Sequence, residues 1–201
     1  MKIDWKALVT MTLLDPKEAA GQVMMLRRGL SNESLCSAVV LVAVVNTLII
    51  SVGMQIYPPT PEQAPLIPRF MTRPALLAIF AAGAIVITIF VLHWAGRALG
   101  GQGDLRDMLA VFSWLELVQA AVQVAVLVLA FVAMPLASLL NFLAFFWGMW
   151  ILIAFVDRVH GFDNPLKAIS VLALGLGLMV MGLILFILLI GATAEGLVGH
   201  V

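Results

Sequence analysis

Glu116, Gln119 and Gln123 place a carboxylate and two amides within FSWLELVQAAVQ, Phe112 to Gln123, one of the most apolar parts of the chain. Their spacing is i, i+3 and i+7, so on a helix they share one face. A glutamate at mid-membrane is expensive and would mark a proton or ion relay. Depth separates that chemistry from a structural role. With the span ending near Met134, Glu116 lies eighteen residues away, or about 27 Å along a helix. In a hydrocarbon core of about 30 Å this leaves it just inside the cytoplasmic boundary. Trp114 beside it is a typical interface residue. Asn46 and Asn141 are the strong polar groups near the middle of their spans and His93 sits at a span end; none is an evident relay partner. The favoured reading is interhelical hydrogen bonding, at about 0.6 kcal/mol per bond. The alternative is a shallow ligand or lipid-headgroup site opening to the cytoplasm.

Other chemistry is missing where it would be needed. There is no HExxH for zinc, no GxSxG nucleophile elbow and no P-loop. LGGQGDLRDM, Leu99 to Met108, follows a helix rather than a strand, so it fails as a phosphate loop. It reads instead as a tight connection in which Gly100, Gly101 and Gly103 allow unusual backbone angles and Asp104 caps the next helix. In HGFDNPLKA, Gly161 ends one helix, and Asn164 and Pro165 begin another. His160 and Asp157 are too few to specify a metal site. No catalytic residue, metal or cofactor is expected.

These residues must be positioned by membrane helices. Of 201 residues, 63% are hydrophobic and 11% charged, with mean hydropathy +1.13, far beyond a soluble domain at about 25% charged. Eleven basic residues balance eleven acidic ones, which gives no cationic character for nucleic-acid binding. One cysteine, Cys36, excludes an intramolecular disulfide and is expected to pack as a small apolar residue. Leu35 to Met54 and Ala75 to Leu92 are the first two spans. The uncharged run from Leu117 to Val156 is about twice as long as the core is thick, so it must be two spans. The break belongs at AMPLAS, around Pro135. Ala168 to Ala194 is the last of five. The expected fold is therefore all-α, a polytopic bundle of five transmembrane helices over residues 34–201.

Residues 1–33 form an N-terminal segment with amphipathic helices. Asp15, Pro16 and Glu18 make a capping-box start for a short helix with Ala19, Val23, Leu26 and Leu30 as its stripe. Arg27 and Arg28 near its end suit lipid headgroups. An earlier piece, IDWKALVTMTLL, offers Trp5 to the interface. Either both lie on the membrane or both pack against the bundle. Lys2, Lys6, Lys17, Arg27, Arg28, Arg97, Arg106, Arg158 and Lys167 fall on one side; Arg69 and Arg73 fall on the other. The N-terminus is therefore expected in the cytoplasm and the C-terminus outside. Because the first apolar run follows a polar segment, it is expected to anchor rather than be cleaved. YPPTPEQAPLIPRFMTRP reads as an extended external loop. Ala78 with Ala82, Ala173 with Gly177, and Gly175 with Gly182 would let helices approach closely.

The chain resembles the Yip1 domain family of five-span membrane proteins. The residues that carry the likeness are Asp15 and Pro16, LGGQGDLRDMLAVFSW from Leu99 to Trp114, and VHGFDNPLKAI from Val159 to Ile169. Where relatives often have a tyrosine and then a proline early in the third span, this chain has Trp114 and Val118. The resemblance implies architecture more than activity, since the family pattern defines no catalytic residue. Eukaryotic relatives associate with small Rab-type GTPases; the short cytoplasmic segment here argues against carrying that role over. The expectation is a non-enzymatic scaffold or interaction protein in a bacterial inner membrane. Its partners would be the lipid bilayer and a membrane protein or a second copy of itself. The competing expectation is a small permease or lipid transporter that uses Glu116, Gln119 and Gln123.

Overall fold

The computed structural model describes residues 4–62 and 64–198. Its helices are α1 (Trp5–Leu14), α2 (Pro16–Arg27), α3 (Asn32–Ile56), α4 (Pro74–Ala98), α5 (Leu105–Val132), α6 (Met134–His160) and α7 (Pro165–Val198). Five of these, α3 to α7, contain stretches long and apolar enough to cross a membrane. The last extends beyond the expected Ala194.

Local chemistry sets the boundaries. Asp15 caps α2, its carboxylate accepting from the Glu18 N–H at 3.3 Å, with Pro16 at the first turn. The reciprocal half of the capping box is not needed, because the Asp15 N–H already donates to the Met11 carbonyl. Ser31 caps α3. Gly161 ends α6 in the left-handed region at φ 64°, where a Cβ is costly. Asn164 then accepts from the Leu166 N–H to start α7. The long apolar run breaks where proline predicts. Ala133 is extended, and Pro135 lies in the first turn of α6.

Asp104 departs from expectation. It holds the N-cap position of α5, but its side chain makes no cap bond and faces Arg27 instead. Cys36 also departs from expectation, being exposed rather than packed. The proline-rich loop is not wholly extended, since it contains short 3-10 turns at Ala64–Leu66 and Arg69–Thr72. Among the anticipated glycines Gly175 makes a close approach, a Cβ there falling 2.6 Å from Leu92 of α4, whereas Gly177 and Gly182 have nothing within 4 Å; Ala82 packs against the core. Ala173 and Gly177 point outward.

Helix α5 packs against α3 and α6, α4 lies against α3 and α7, and α6 touches α7. The N-terminal helices pack on the bundle, α2 against α5 and α6 and α1 against α2. This places the densest core at one end, which we call the capped end. Val23 of α2, Leu35 and Val39 of α3, Met108 and Val111 of α5, and Phe155 and Val156 of α6 are buried there together. Toward the other end the helices turn most of their apolar side chains outward, as with Phe131, Val132, Phe142 and Leu143. That distribution suits lipid, which solvates apolar side chains as well as a protein interior does.

Candidate functional site

Glu116 sits where the packed end gives way to the open one. Eight residues of α5 are buried, and all except Ala120 precede Glu116. The carboxylate is half-buried and accepts a hydrogen bond at Oε2 from the Asn46 amide of α3, 2.7 Å away. Asn46 is itself only 8% exposed. Its Oδ1, and the Oγ of Ser113 one turn before Glu116, are buried without hydrogen-bond partners. The ion pairs among the described residues all lie elsewhere, at the capped end.

The three seam residues do not stay together. Glu116 and Gln119 line a groove of about 650 Å³ walled by α5, α6 and the Leu13 and Leu14 tip of α1. Gln123 lines a different cavity of about 350 Å³ between α3, α5 and α6, with Tyr57, Ser138 and Asn141. The division runs along the helix axis: the α5 residues lining the groove end at Val122, and those lining the other cavity begin at Gln123.

Two tryptophans fix the wall that α1 contributes. The indole N–H of Trp114 donates to Thr12 Oγ1 at 2.9 Å, and that hydroxyl donates onward to the Leu8 carbonyl at 2.8 Å. Trp5 stacks on Trp114 with ring centroids 6.1 Å apart. Trp147 of α6 donates to the Leu13 carbonyl at 3.1 Å. The buried Trp114 N–H needs such a partner, and an open carbonyl at the end of α1 serves the exposed Trp147.

Ion pairs hold α2. Lys17 pairs with Asp157, which is 1% exposed and also accepts from the Asn164 N–H at 2.9 Å. The Arg27 guanidinium hydrogen-bonds Asp107 and lies 3.5 Å from Asp104. The bond to Asp107 raises the Arg27 pKa above its ordinary value, against the opposing effect of burial, with the charges of Asp107 and Asp104 adding to it. Arg27 is thus committed to α5, whereas Arg28 is exposed.

The glycine-rich connection is built around His160. Gly96, Gly101 and Gly103 surround its fully buried ring, and a Cβ at either of the last two would fall 2.7 Å from Nδ1. The loop is stitched by the Gln102 N–H donating to the His160 carbonyl at 3.0 Å. His93 lies 6.4 Å away between ring centroids, and Phe162 stacks at 5.4 Å. No third ligand joins the histidines, since among the described residues no three His, Cys, Asp or Glu side chains converge as a metal site.

Sequence reasoning missed the Asn46–Glu116 pair and the His160 plug. The available signals were a single strong amide in the middle of α3 and a density of glycines that leaves room for one large side chain.

The two connections with the capped N-terminal helix thus form one interlocked unit, and the residues that build it are spread over most of the chain. A model of the Yip1 domain matches residues 11–189. Searches of curated proteins and of solved structures gave no match. Because the match runs from α1 into α7, across both connections and all the helices that carry them, the chain belongs to the Yip1 domain family.

Proposed function

We propose that this protein is a non-enzymatic membrane scaffold that organises lipids or a partner complex through its spans and its capped end. The observation that carries this reading is the division of the polar seam. Glu116 and Gln119 line one groove and Gln123 another. Coupled transporters place substrate and ion sites at discontinuous helices near the midplane, whereas α3, α4, α5 and α6 are each continuous through their spans. Latching of α1 and α2 by ion pairs and indole bonds supports a rigid surface for a membrane protein partner or a second copy.

The distribution of Lys and Arg supports a multi-pass arrangement in a bacterial inner membrane with the capped end in the cytoplasm. There Arg28 carries the exposed charge toward lipid headgroups, and Arg27 holds α2 against α5 through Asp107. Labelling a single cysteine added at the C-terminus of a Cys36→Ser variant from the outside tests this orientation.

Reconstitution in liposomes separates the scaffold from the permease or lipid-transporter reading. No ion or lipid-scrambling flux above empty vesicles is expected. Flux that Glu116→Ala abolishes would replace the scaffold with a conduit. Affinity purification in mild detergent is expected to retain a defined membrane protein partner or a second copy.

A further inference from the structure

A carboxylate embedded in a membrane protein is normally paired with a cation or faces water. Glu116 has one amide donor, from Asn46 at 2.7 Å, and no cationic partner among the described residues. Its Oε2 is engaged by Asn46, and the side chain as a whole is half-exposed into the groove. Apolar side chains that would otherwise face lipid line the rest of this space, among them Leu143 and Phe145. At about 650 Å³ it lies within the range of small-molecule sites, about 300 to 1,000 Å³.

We propose that the groove between α5 and α6 binds a membrane lipid bearing a primary ammonium group, with that group against Glu116 and an acyl chain along the apolar wall. Charge complementarity selects the head. Glutamate supplies only acceptor oxygens when ionised, and an ammonium supplies three donors together with the missing positive charge. Gln119, one turn further along α5 and exposed in the same groove, offers an amide N–H to an ester or phosphate oxygen of the same lipid. The groove has no Lys or Arg in its lining, so a lipid whose head carries only negative charge has no counterpart here.

Geometry gives the tail a path. From Glu116 to Val122 the α5 wall runs six residues toward the open end, or about 9 Å. Leu13 and Leu14 of α1 close one side, held by the Trp147 bond to the Leu13 carbonyl. This site goes beyond the scaffold reading and does not depend on it, because a bound lipid suits a scaffold and a conduit alike.

The test is native mass spectrometry of protein extracted from vesicles of equal phosphatidylethanolamine, phosphatidylcholine and phosphatidylglycerol. At least tenfold preferential retention of phosphatidylethanolamine is expected, since its head alone combines positive charge with N–H donors. Glu116→Gln should abolish the preference while leaving the fold intact by circular dichroism. Ala144→Phe keeps the carboxylate but fills the groove wall, and it should remove the retained lipid. Equal retention of the three lipids, or a preference that survives both substitutions, would overturn the proposal. If Glu116→Gln fails to fold, Ala144→Phe alone decides between these outcomes.

Discussion

Asn46 and Glu116, seventy residues apart, are joined by a 2.7 Å hydrogen bond that ties α3 to α5 where the packed end of the bundle meets its open end. Glu116→Gln retains an oxygen for this bond, so stability should change by less than about 1 kcal/mol. Glu116→Leu leaves the buried Asn46 amide with no partner and should cost about 1 to 3 kcal/mol. A double-mutant cycle with Asn46→Ala should return a coupling near 0.6 kcal/mol and no more than about 1.7. Unfolding in mixed detergent micelles measures each value.

His160 and its glycines give a prediction with an internal control. Gly103→Ala sets a methyl group against the imidazole and should cost about 1 to 3 kcal/mol. In a His160→Ala background, itself destabilised by the cavity left at a buried site, the further cost of Gly103→Ala should fall by more than half, because the remaining close atom is a Val159 methyl at 3.0 Å. The cost of Gly101→Ala should not fall in this way. Its Cβ also meets the Gly96 carbonyl oxygen at 2.8 Å, and backbone cannot withdraw. Thermal melts of the single and double variants decide.

Asp157 and Lys17 are unequal partners. Lys17→Ala removes a cation that is 45% exposed but leaves the buried Asp157 carboxylate with the Asn164 N–H alone, and should cost about 1 to 2 kcal/mol. Asp157→Ala removes both the ion pair and the acceptor for the Asn164 N–H at the start of α7. Its loss should be larger, about 2 to 3 kcal/mol. Limited proteolysis in α2 should accelerate in both variants, and more strongly in the second.

Arg27 and Arg28 are adjacent, and their substitutions should differ. Arg27→Ala leaves Asp104 and Asp107 facing α2 without their cation and should loosen α2 from α5, read as faster proteolysis near Met24. Arg28→Ala should leave stability within about 0.5 kcal/mol, as for other exposed positions.

Five spans, the break at Pro135 and the caps at Asp15, Gly161 and Asn164 were all legible in the sequence, because each depends on residues within a few positions of one another. Apolar length against bilayer thickness, the fixed angle of proline and the positive φ of glycine act locally. Which face of each helix meets which neighbour was decided only by the tertiary structure. Rotation about a helix axis is barely constrained when lipid and protein solvate apolar side chains almost equally, so hydropathy said little about where α5 would point Glu116 or Gln123. That rotation joined Glu116 to Asn46 and brought His160 of α6 into the space left by glycines of another connection, while the arrangement of α1, α3 and α6 along α5 divided the seam between two cavities. The same packing turned the N-terminal helices from optional surface segments into the cap, since the indoles of Trp114 and Trp147 found acceptors only once α1 lay against the bundle.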